Sequence, residues 1–118
     1  MEIFIPDNTP QSAALSRTTD LCIAAHHDDI EIMAYGTIAQ CYGNLNRHFS
    51  GIVISDGGGS PRSGIYADYT NEQMKAIRID EQKMAASIGR YSCQIFLSHS
   101  SPDIKRANNE ITEQIKAI

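Results

Sequence analysis

The sequence has no cluster of Lys and Arg, no apolar run of membrane length and few cysteines, and each lack excludes something. With no basic run and a formal net charge of -4, the chain carries no electrostatic footprint for nucleic acid or for an anionic membrane. No stretch is long and apolar enough to span a bilayer. The N-terminus lacks the basic-then-apolar pattern of a secretory signal. The three cysteines, Cys22, Cys41 and Cys93, are odd in number, widely spaced and without a Cys-x-x-Cys pair. That argues against a disulfide framework and against a cysteine zinc site. They lie in apolar segments, where a free thiol packs as a small hydrophobe, and a reducing cytoplasm suits them. There is neither an internal repeat nor a low-complexity segment. At 118 residues the chain is one domain or part of one, with a modest core.

What is present is an alternation of short strands and helices. "EIFIP" reads as an edge strand. "TPQSAALSR" reads as a short helix, with Thr9 as its cap and Pro10 at the first helical position. "LCIAA", Leu21 to Ala25, is a continuous apolar run of the kind buried on both faces of a parallel sheet. Ile30, Met33, Ala34, Thr37, Ile38, Cys41, Tyr42 and Leu45 then recur at helical spacing, with Asp28 and Glu31 placed as a capping box. "FSGIVIS", Phe49 to Ser55, predicts the next strand, and "DGGGSPRSGIYAD" breaks all periodicity as a loop. Thr70 and Gln73 form a second capping-box pattern, opening a helix that runs to about Ile88. The stripe Met74, Ile77, Glu81, Met84, Ile88 marks its inner face, and Gly89 is placed to end it in a left-handed conformation. "SCQIFLS" predicts a third strand. A last helix begins near Asn109, with Ile111, Ile115 and Ile118 on one face.

This order predicts an α/β fold: a Rossmann-like, three-layer arrangement around a mostly parallel, doubly wound sheet. In such sheets ligands bind beyond the carboxyl ends of the strands. "AHHDD", "SDGGGSPR" and "SHSSPD" follow three strands at that end, so the most polar stretches converge on one rim.

The chemistry concentrates in "AHHDDIE", Ala25 to Glu31. Zinc accepts imidazole nitrogen and carboxylate oxygen, and a strand-to-helix turn lets His26 and Asp29 reach one ion. Asp28, flanking it, is placed to take a proton from metal-bound water. Capping and the helix dipole account for two carboxylates here without any metal. They do not account for Asp29 as well, nor for the histidine pair. Elsewhere, Arg62 in the glycine-rich loop is a candidate substrate contact. Arg78 and Glu81 form at least an ordinary helix ion pair. Tyr66 and Tyr69 are able either to line a sugar pocket or simply to pack. His48 precedes a strand, at the wrong end of the sheet; His99 follows one, on the right rim.

"AHHDDIE" resembles the Ala-His-Pro-Asp-Asp-x-Glu signature of the LmbE-like, or PIG-L, zinc-dependent de-N-acetylases. "IMAYGTIA", "VISDGGGSPR" and "RIDEQKMAASIG" resemble segments that follow it in the family, so the likeness runs from about Leu21 to the last helix. The resemblance implies His26 and Asp29 as zinc ligands, Asp28 as general base and Arg78 as a substrate-binding arginine with Glu81 its partner. It implies hydrolysis of the N-acetyl amide of an N-acetylglucosamine-type small molecule. Two departures stand out. His27 replaces the family's proline, and a packing or surface role is expected for it. The family's third zinc ligand, a histidine from a later segment, has no counterpart here. The chain is therefore expected to correspond to the N-terminal portion of the domain, weak in zinc binding or inactive by itself. It is also expected to self-associate through an open edge left on its last strand. Two other readings remain. "HH" resembles part of the Asp-His-His phosphoesterase motif, without its leading carboxylate, and a non-catalytic sugar- or anion-binding fragment needs no turnover at all.

Overall fold

The structure, a computed structural model, describes residues 1–106 and 108–118. In chain order its elements are β1 (Glu2–Phe4), α1 (Gln11–Ser16), β2 (Asp20–Ala24), α2 (Asp29–Cys41) and β3 (Phe49–Ser55). A 3-10 turn (Gly64–Tyr66) follows, then α3 (Asn71–Ile88), β4 (Cys93–His99), α4 (Ser101–Lys105) and α5 (Asn109–Ala117). The strands form one open sheet in the order β1-β4-β3-β2, with β2, β3 and β4 parallel and β1 antiparallel to β4. The fold is thus mixed α/β. No helix among the described residues is long and apolar enough to cross a membrane.

Successive parallel strands step across the sheet in one direction, and right-handed crossovers then place their helices on one face. Accordingly Ile30, Ile38 and Cys41 of α2 and Ala86 of α3 share a cluster with Ala24, Phe49, Val53 and Phe96. The alternate strand residues, Ile52, Ile95 and Leu97, pack with Leu15 of α1, Ile104 of α4 and Ile111 of α5. The period of two along a strand divides β3 between these clusters. Gly51 lets α2 lie close to the sheet: a Cβ there would come within 2.7 Å of both Ile30 Cδ1 and Gln94 Oε1.

Several expectations are corrected. The run at β2 is not buried on both faces: Leu21 is 52% and Ile23 41% exposed. β2 is an outer strand, and an apolar run does not reveal whether a neighbour covers it. β4 does not leave the open edge, because β1 pairs along it; the outer strands are β1 and β2. Pro10, not Thr9, occupies the cap position of α1, and the Thr9 hydroxyl accepts from Arg17 instead. α2 ends at Cys41, so Tyr42 and Leu45 lie beyond it, and these two and Met33 are exposed. The buried face of α3 is Met74, Gln82 and Ala86, not the stripe through Met84 and Ile88, which are exposed.

The Thr70–Gln73 capping box is formed in both directions. At the other end of α3 the left-handed residue is Arg90 (φ 53°), whereas Gly89 is right-handed. Tyr91 N–H donates to Ala86 and Arg90 N–H to Ser87, the paired bonds of a Schellman turn. Gly89 is needed for space: a Cβ there would stand 2.6 Å from the Tyr91 ring. α4 begins inside the stretch "SHSSPD", where Ser100 caps it by accepting from Asp103 N–H.

Candidate active site

Three strand ends are stitched into one rim. Ser55 N–H donates to the Ala25 carbonyl at 2.9 Å, and Asp56 N–H to the His99 carbonyl at 2.8 Å. Over this rim lies a pocket of about 250 Å³, lined among others by His26, His27, Asp28, Ser55, Ser60 and Arg78.

Asp28 stands at the cap position of α2, yet it does not cap. Its backbone is left-handed (φ 71°) and its side chain makes no capping bond. Glu31 does not reach back either, so the expected capping box is absent. The Asp28 N–H donates to Gln82 Oε1 at 3.1 Å, a partner from α3. Gln82 Nε2 donates to Glu31 Oε1 at 2.8 Å and, at 3.3 Å, to Gln94 Oε1. Tyr91 closes the network by donating to Glu31 Oε1 at 2.7 Å. Burial, then this bond to Glu31, pushes the Tyr91 hydroxyl well above the usual phenol range. Both glutamines are fully buried. Aspartate tolerates the left-handed region better than most residues but not freely, so the turn needs this external hold. Its consequence is a carboxylate released from capping and turned toward the pocket.

Gln82→Leu keeps the bulk and removes the amide, leaving Asp28 N–H and Gln94 Oε1 short of a partner. It is expected to cost about 1–3 kcal/mol. Urea denaturation should show a lower midpoint with an unchanged slope; an unaltered midpoint would mean that the amide network contributes nothing.

The other site residues fall into place around Asp28. Arg78 Nη1 lies 3.6 Å from Asp28 Oδ2 and 2.8 Å from Glu81 Oε2, and Arg78 Nε donates to Ser60 Oγ. Tyr66 hydroxyl donates to Glu81 Oε1 at 3.0 Å. Burial raises the Asp28 carboxyl pKa, and Arg78 works against that. His26 Nδ1 and Asp29 Oδ2 stand 3.4 Å apart at the solvent side. Among the described residues no group of three or more His, Cys, Asp or Glu side chains is gathered as a metal would need. His99 is engaged with Gln114 of α5. His48 lines a different cavity with Arg17, Arg47 and Arg90.

Arg62 holds its own loop: it donates to the carbonyls of Gly58, Ser60 and Tyr69 and to Asn71 Oδ1. Tyr69 meets Tyr66 edge to face at 5.3 Å. His27 is buried and lies over Phe96, ring centroids 6.1 Å apart. Gly57 (φ 79°) is required beside it, since a Cβ there would press on Arg78 and on the His27 ring. Burial above all, and then Arg78, lowers the His27 pKa to about 4. Sequence reasoning missed Gln82, Gln94, Tyr91 and Ser55. The visible signal was an amide in the apolar strand "SCQIFLS", because a buried amide needs partners.

An α/β sheet whose carboxyl-end rim gathers a histidine, two aspartates and an arginine has the makings of a hydrolytic site. The chain matches the family model PIG-L, GlcNAc-PI de-N-acetylase, over residues 21–118. It belongs to that family. The span begins at β2 and takes in every pocket residue. No curated protein and no solved structure matches the chain.

Proposed function

We propose that this pocket removes the acetyl group from an N-acetylglucosamine-type amino sugar, with zinc held by His26 and Asp29, on a Rossmann-like frame. The observation that carries this reading is the Asp28 carboxylate, freed from capping, 3.6 Å from Arg78 and lining one pocket with His26.

Imidazole and carboxylate are donors that zinc takes, so the pair fits the metal; a catalytic zinc commonly has three protein ligands, and the described residues supply two. When bound, zinc polarises the amide carbonyl and lowers the pKa of water. Asp28 accepts the proton of the attacking water and returns it to the nitrogen as the C–N bond breaks, leaving acetate and a free amine. Arg78 favours the ionised form of Asp28 against its burial and offers N–H donors to the substrate, while Glu81 and Ser60 hold its guanidinium in place. Arg62 serves the substrate through the loop that it braces.

The test is zinc content and acetate release of the purified chain beside a His26→Ala, Asp29→Ala variant. The expected result is weak, saturable zinc binding that the variant loses, with slow acetate release from the amide substrate. Zinc retained by the variant would overturn the ligand assignment. Preferential cleavage of a phosphodiester would overturn the reaction.

A further inference from the structure

His27 has a role that packing does not exhaust. Its side chain is only 8% exposed, and its Nε2 has no hydrogen-bond partner among the described residues. Ser55, 2% exposed, has an unpartnered hydroxyl as well. Buried polar atoms are nearly always paired, and leaving each one bare costs about 1–3 kcal/mol. Both residues line the same pocket. They are buried lining residues, whereas the His26 and Asp28 side chains beside them are exposed. The two orphans therefore belong to one pocket and lack a partner that the described residues supply.

The chemistry of a ligand group that would partner them is narrow. A serine hydroxyl donates or accepts, and a neutral imidazole nitrogen does one or the other according to its tautomer. A hydroxyl group, able to do both at once, suits the pair. Proline, which the family signature carries at this position, offers no side-chain nitrogen, so the feature is a property of this chain.

We propose that His27 Nε2 and Ser55 Oγ form a subsite for one neutral hydroxyl of the sugar ring, making His27 a specificity-determining residue. This rests on the amino-sugar reading above. The subsite selects among sugars that differ at one hydroxyl.

The experiment is a titration of the zinc-supplemented chain with N-acetylglucosamine and its monodeoxy analogues, followed by NMR, with acetate release measured in parallel. One analogue is expected to bind about 5–10-fold more weakly than the parent sugar. That penalty should vanish in His27→Phe, which keeps the ring over Phe96, and in Ser55→Ala, and should persist in His27→Gln. Ser55→Ala provides the answer if His27→Phe fails to fold. A penalty of equal size in both Ser55→Ala and the wild type, or no discrimination at any hydroxyl, overturns the subsite and leaves the pair holding an internal water. If the parent sugar is deacetylated but the penalty is insensitive to both variants, only the subsite falls. If the parent sugar is neither bound nor cleaved, the amino-sugar reading falls and the subsite with it.

Discussion

Asp28→Asn is expected to lower acetate release by about 10²–10⁴-fold, the usual contribution of a positioned general base, while sugar binding changes little. The substitution is nearly isosteric. Asparagine accepts the left-handed backbone as readily as aspartate, and the N–H bond to Gln82 is untouched. The aspartate side chain makes no capping bond, and what is removed with the charge is a long, half-exposed ion pair to Arg78, worth little at such exposure, so the melting temperature should stay close to that of the wild type. Loss of turnover with retained binding and stability identifies the carboxylate as the base. Turnover equal to the wild type would remove Asp28 from the mechanism.

Acid is expected to destabilise the fold by about 3 kcal/mol between neutral pH and pH 4, through His27. An exposed histidine titrates near 6.5, whereas burial holds His27 at about 4 in the folded chain. Between those values the unfolded state binds a proton that the folded state refuses. Stability is therefore complete above about pH 6.5, declines by roughly 1.4 kcal/mol for each pH step of one as pH falls toward 4, and levels off below. The charged neighbours oppose one another: Arg78 and His26 push the pKa down, while Asp56 and Glu81 pull it up, and desolvation decides the sign. Asp20 adds a loss at lower pH, because its bonds to Arg47 hold its carboxyl below the ordinary range and their contribution fades as it protonates. Urea unfolding from pH 7.5 to pH 4 checks this, with His27→Phe as the comparison. A variant with the same pH slope as the wild type would show that His27 is not the titrating group.

Local patterns carried much of the architecture. Helical spacing located α2, α3 and α5, and apolar runs located β2, β3 and β4, because each period follows from backbone geometry that neighbours do not alter. Turn-forming residues after each strand marked the rim. The capping boxes show where such reasoning stops. Thr70 and Gln73 form theirs in both directions, with partners three residues apart. Asp28 and Glu31 have the same spacing and do not, because Gln82 and Tyr91, 54 and 60 residues away from their partners, offer buried bonds instead.

The sequence by itself determined the order of the strands and longer helices, the end of the sheet that carries the polar loops, and the neighbouring His26, Asp28 and Asp29, since these depend on short-range spacing; it gave no sign of α4. Only the tertiary structure decided that β2 lies outermost, that Arg90 and not Gly89 turns the chain after α3, that Asp28 is freed from capping, and that the buried His27 and Ser55 line one pocket. Each of these depends on which distant groups become neighbours when the sheet closes, and a hydrogen bond or a desolvated ring is a property of that neighbourhood, not of the residue that carries it.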